Sequence, residues 1–266
     1  MIKRTERAAA GPKKRWAAGT LLAVLLLGAV SAAYVSNTRT AEVLARKREL
    51  PVYSVDRNDG KIAISFDAAW GGDKTLKILD ILDENKVKAT FFLVDIWTQR
   101  FPELVKEIAA RGHEIGNHST THPKMSALSR ERIAQELETM SANVAKLIGQ
   151  RPTLFRPPYG DYNNDVVLTA RANGYEVIQW SVDSLDWKNK GVQPLIDRAT
   201  KNVKSGDIVL FHNDSQYIVD ALPAVLKSYR EQGFTVGPVS QVLLPGQTTI
   251  DPQGKQHPAA TTVPEV

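Results

Sequence analysis

Lys61-Ile62-Ala63-Ile64-Ser65-Phe66-Asp67 is an apolar-rich run that reads as a strand and stops at a carboxylate. The pattern recurs along the chain. Ala89–Val94 is a second continuous apolar run, as expected of a strand buried on both faces. His113–Gly116 leads into Asn117-His118-Ser119-Thr120-Thr121-His122, and Thr153-Leu154-Phe155 leads into Arg156-Pro157-Pro158-Tyr159-Gly160. Tyr175–Trp180 precedes Asp183-Ser184-Leu185-Asp186-Trp187, and Asp207–Phe211 ends at His212. Between these runs the apolar period changes to that of helices, over 74–85, 102–111, 129–148, 164–173, 194–203 and 218–232. Pro102 opens one helix, Ser129 caps another, and Gly112, Gly149, Gly174, Gly206 and Gly233 follow helical segments. Strands alternating with helices, each strand carrying polar groups at its C-terminal end, predict an α/β barrel whose chemistry converges on one mouth.

The charge balance divides the chain. Ten of its 34 Lys and Arg and three of its 29 Asp and Glu lie in residues 1–50, leaving 24 against 26 in the remainder. The excess positive charge therefore belongs to the N-terminal segment. The folded part lacks the basic surface that a nucleic-acid partner requires, so no nucleic acid is expected. There is no cysteine. That excludes disulfides, a thiolate nucleophile and Cys-ligated zinc.

Residues 16–35 carry no charge and follow Lys13-Lys14-Arg15. Twenty such residues are long enough to cross a hydrocarbon core. The expected organisation is a short basic cytoplasmic segment (1–15), a transmembrane or signal-anchor helix (16–35), a stalk (36–58), a catalytic domain (59–244) and a disordered tail (245–266). The domain is expected outside the cell membrane, attached by a single pass. Val30-Ser31-Ala32 offers a small-residue cleavage site and hence secretion as the alternative.

Each polar cluster has a chemical and a bland reading. His118 and His122 can close on one ion, although an isolated pair is more often a surface feature and a divalent site needs a further ligand. Asp67 at a strand end suits a general base or a simple turn. Arg156 is stiffened by two prolines and suits a bidentate grip on a carboxylate. Asp183 or Asp186 with His212 makes a carboxylate–imidazole pair able to donate a proton near neutrality. Trp180 and Trp187 suit sugar stacking and core packing equally.

In their order and spacing the five clusters resemble the polysaccharide deacetylase (NodB-type) family over about residues 60–242. Phe66-Asp67-Ala68-Ala69-Trp70-Gly71 and the N-terminal helix are most similar to its spore-associated branch in Gram-positive bacteria. The resemblance implies a distorted (β/α) barrel and metal-assisted removal of acetyl groups from N-acetylglucosamine-containing cell-wall polysaccharide, peptidoglycan or chitin-like. It implies Asp67 as general base and Arg156 as its holder. It makes His118 and His122 ligands of a divalent metal, zinc, and the Tyr159 backbone N–H an oxyanion donor. His212 becomes the general acid, with Asp186 as its partner. Trp180, Leu210, Trp187, Pro157 and Asp183 are expected to line the substrate groove. One position departs from the pattern. The family carries a second Asp after the base as third metal ligand, and here it is Ala68, with Asp73 the nearest replacement. The alternative function is therefore a weak or silent glycan-binding protein on the same fold.

Overall fold

The computed structural model describes residues 48–259. The expected cytoplasmic segment and membrane helix (1–35) and most of the expected stalk lie outside them. Among the described residues no helix is long and apolar enough to cross a membrane.

Strand β1 covers Ser54–Val55 and β2 covers Lys61–Ala68. Then come α1 (Thr75–Glu84), β3 (Thr90–Leu93), α2 (Asp95–Arg100), α3 (Pro102–Ala110), β4 (Glu114–Asn117) and α4 (Arg130–Ile148). They are followed by β5 (Leu154–Phe155), α5 (Asn164–Ala172), β6 (Glu176–Val177), β7 (Val182–Asp183), α6 (Val192–Thr200), β8 (Ile208–His212) and α7 (Ile218–Glu231). The described residues end in β9 (Thr235–Gly237), α8 (Val239–Val242), β10 (Thr248–Ile250) and β11 (Lys255–Pro258).

The main sheet is parallel throughout, in the order β6-β5-β4-β3-β2-β8-β7, with β9 also pairing β2. It curls, but its edges β6 and β7 do not pair with each other, so the barrel is distorted and has a seam. Pleating divides β2 between two environments. Ile62, Ile64, Phe66 and Ala68 join the apolar layer beneath the outer helices. Ala63 faces inward with Phe92, Ile178 and Ile208, which fill the lower interior. Ser65 and Asp67 continue that inward face toward the strand ends.

Two expectations fail at the ends of the domain. Residues 48–58 are not a stalk, because Val52 and Val55 are buried. The Val52 N–H donates to the Val177 carbonyl at 2.8 Å, and the Val55 N–H donates to that of Gly206 at 2.9 Å. This segment thus crosses the seam. Gly206 permits it at φ +86°, where a Cβ would overlap the Val55 carbonyl. Nor are residues 248–258 a disordered tail. β11 pairs β1 in parallel and β10 in antiparallel, forming a second, three-stranded sheet. A composition of Pro, Gly, Gln and Thr hid these strands, whose stability comes from pairing with a segment some two hundred residues away.

Candidate active site

Asp67, at the inner end of β2, stands in register with Phe92 on β3 and His212 on β8. Arg156 follows β5 and is fully buried. Its Nη1 donates to Asp67 Oδ1 at 2.7 Å, and its Nη2 donates to the Gln179 carbonyl at 3.1 Å. The expected bidentate grip is therefore split between a carboxylate and a backbone carbonyl. The guanidinium stacks 4.1 Å from the Phe92 ring centre and 5.6 Å from that of Trp180. Burial pushes the Asp67 carboxyl upward, but Arg156, His118 and His212 outweigh it and hold the group below the usual carboxylate range.

The two histidines come from one tightly pinned loop. Ser119 and His122 adopt left-handed backbone at φ +72° and +57°. Glu136, buried on α4, accepts from the Thr120 and Thr121 N–H groups at 3.0 and 2.8 Å. Ser119 Oγ accepts from the His122 N–H at 3.0 Å, and Asn117 Oδ1 from that of Ser119 at 2.7 Å. Glu136 escaped the sequence reading, although it occupies the buried stripe of its helix with Ile133, Leu137, Met140 and Val144. A carboxylate on an apolar stripe was the available signal.

His118 Nδ1 lies 2.6 Å from the Arg156 carbonyl oxygen, which can only accept. Nδ1 therefore carries the proton and Nε2 turns its lone pair toward Asp67 Oδ2, 3.5 Å away. His122 Nδ1 is buried with no hydrogen-bond partner. Burial lowers the pKa of both rings, that of His122 to about 4, so both are neutral at pH 7 and available as donors. Two imidazoles fit a divalent ion. Among the described residues no three His, Cys, Asp or Glu converge on one point. Ala68 is fully buried in the apolar layer, on the face opposite Asp67. Asp73 is no replacement, since its exposed carboxylate pairs with Lys74 at 3.6 Å.

Asp186 lies in a helical turn over Asp186–Lys188 and is itself buried. Its Oδ1 is 2.7 Å from His212 Nδ1, and its Oδ2 accepts from the His212 backbone N–H at 2.7 Å. Burial opposes charge on His212, but the Asp186 hydrogen bond and the surrounding carboxylates outweigh it and raise the pKa. The ring is thus suited to donating a proton.

The remaining expected residues divide. Tyr159 stands in left-handed backbone (φ +60°), with its ring exposed and 4.4 Å from that of His122. Pro157 is buried behind it, and Trp180 packs beside Gly160. Leu210 is buried on β8 in register with Ser65. Trp187 is exposed next to Asp186, with the Lys188 ammonium 4.9 Å from its ring centre. Asp183 is not brought to the mouth by any contact. Its Oδ1 accepts from the Leu185 N–H at 2.9 Å, and it lines a separate polar depression along α6.

The polysaccharide deacetylase family model matches residues 54–178. A peptidoglycan-N-acetylglucosamine deacetylase of Bacillus cereus is 39% identical over 196 residues, covering 72% of this chain and 92% of that protein. The crystal structure of a CE4 family pseudoenzyme from Bacillus anthracis superposes with a TM-score of 0.70 at 32% identity, over 72% of this chain and 68% of that one. A mutant of that pseudoenzyme described as having restored enzymatic activity matches equally well, with a TM-score of 0.70 at 33% identity, over 72% and 70%.

Proposed function

Because this chain belongs to the polysaccharide deacetylase family, we propose that its mouth binds N-acetylglucosamine-containing cell-wall glycan and hydrolyses the N-acetyl amide. The observation that carries the reading is the pair of buried, oppositely tuned couples, Arg156–Asp67 and Asp186–His212, whose members Asp67 and His212 lie on adjacent strands. Ionised Asp67 takes a proton from water as its oxygen adds to the acetyl carbonyl. His212, kept charged by Asp186, gives a proton to the departing sugar amine. The bond broken is C–N, and the products are acetate and a free amine. The Tyr159 N–H is assigned to the developing oxyanion.

A carboxylate held below its usual pKa is a poor base toward bulk water, whose pKa is about 15.7. A divalent ion such as zinc on His118 and His122, completed by water, would supply the missing acidification when bound. With only these two imidazoles to hold it, such an ion would be bound weakly. We further assign the domain to the extracytoplasmic face, held at the membrane by residues 16–35.

Ala68 favours a second reading, a glycan-binding protein that no longer turns over, and the likeness to a pseudoenzyme supports it. Acetate release from N-acetylated glycan, with and without added Zn²⁺ or Co²⁺, decides between them. Release that His212→Ala abolishes supports the hydrolase. No release at any metal concentration, with glycan binding intact, establishes the binding protein.

A further inference from the structure

Trp70 is 61% exposed, yet the backbone that presents it is fixed. The next residue's carbonyl, that of Gly71, accepts from the indole N–H of Trp97 and, at 2.9 Å, from Asn213 Nδ2. Both donors are buried. Gly71 itself takes φ +52°, and a Cβ there would press on Asp214 Cβ at 3.0 Å. The backbone that carries this large indole is thus pinned, and the ring stands exposed at the lip of the site. Its ring centre lies 6.3 Å from that of His122, edge-on at 72°. Tyr159, 66% exposed, stands on the same imidazole. Trp70, His122 and Tyr159 form an aromatic row in which Trp70 follows β2 itself and His122 and Tyr159 follow β4 and β5, whereas His212 lies on β8, on the other side of β2.

From this placement, and resting on the glycan reading of the mouth, we infer that Trp70 is a stacking platform for the sugar ring adjacent to the one whose acetyl group faces Asp67. A pyranose presents a face of C–H groups that an indole covers with apolar contact, and a rigid aromatic provides that contact at little conformational cost. Trp187 is less suited, because the Lys188 ammonium already lies over its ring.

The test is calorimetric binding of the N-acetylglucosamine tetramer and of the monosaccharide to the full-length chain with a chelator present. Trp70→Ala, Trp70→Phe and wild type are compared, with thermal unfolding as the check on folding. The expected result is a loss of roughly tenfold in tetramer affinity for Trp70→Ala, equivalent to about 1.4 kcal/mol. Monosaccharide affinity stays unchanged, and Trp70→Phe retains most of the tetramer affinity. Unaltered tetramer binding by Trp70→Ala overturns the platform while leaving the glycan reading intact. An equal loss for both ligands also overturns it, since Trp70 would then touch the reacting sugar. Absence of binding by wild type overturns the glycan reading and the platform together.

Discussion

Asp67 and His212 are register partners on neighbouring parallel strands, so their backbones stand about one strand spacing, ~4.8 Å, apart. Each has its own buried partner, Arg156 for the first and Asp186 for the second. The two couples also act on each other, since His212 helps to lower the pKa of Asp67 and Asp67 helps to raise that of His212.

Removing the charge of Asp67 strands a buried guanidinium whose Nε already has no acceptor. Asp67→Asn is expected to lose turnover and about 3 kcal/mol of stability, the scale of a broken buried ion pair. Combining it with Arg156→Met should recover stability without activity. Urea unfolding checks this, and an Asp67→Asn protein as stable as wild type counts against the pair.

The carboxylate of Asp186 raises the pKa of His212 against burial, so His212 should titrate above the ordinary imidazole value of about 6.5. Its contribution to stability is full below that value and fades as pH rises through the folded-state pKa. In Asp186→Asn the titration should move to lower pH, carrying with it the alkaline limb of any acetate release. NMR titration of the His212 ring is the measurement, and an unmoved midpoint would refute the pairing.

On the far side of the sheet, His113 is held neutral by burial, with its pKa near 4. Its Nδ1 accepts from the Ala89 N–H at 3.2 Å, and Nε2 is buried without a partner. A depressed imidazole pKa makes the unfolded chain the better proton acceptor between about pH 6.5 and 4. Stability should therefore fall as pH drops through that window, and His113→Phe should flatten the fall. Thermal unfolding from pH 7 to pH 4 tests it; equal slopes in variant and wild type would remove His113 as the cause.

Ala68→Asp places a carboxylate where the structure has an apolar layer. Without metal it should lower the melting temperature, by an amount reflecting several kcal/mol of uncompensated burial. With added Zn²⁺ the variant should regain more stability than wild type, since ligand binding to the folded state stabilises it. An equal zinc response in both proteins means that the new side chain does not reach the imidazoles.

Much of the site was legible before folding was considered, because it sits at the ends of apolar runs. Asp67, Arg156 and His212 each lie within one residue of a strand end, and parallel topology gathers such ends at one mouth. The orientation of Ala68 depends on where the strand stops. Strand β2 runs through Asp67 to Ala68, so the pleat alternates between the two and turns the methyl away from Asp67.

The sequence by itself determined the alternation of strands and helices, the neutrality of the folded part and the five clusters, since each follows from periodicity, charge or short-range order. Only the tertiary structure decided that Arg156 shares its fork with Gln179, that Glu136 pins the histidine loop, and that Trp70 stands exposed on a fixed turn. It also decided that residues 52–55 and 248–258 complete the fold. Those facts depend on contacts between residues far apart in sequence, formed when burial makes each backbone and side-chain polar group find a partner. No local pattern in the chain encodes which partner that is.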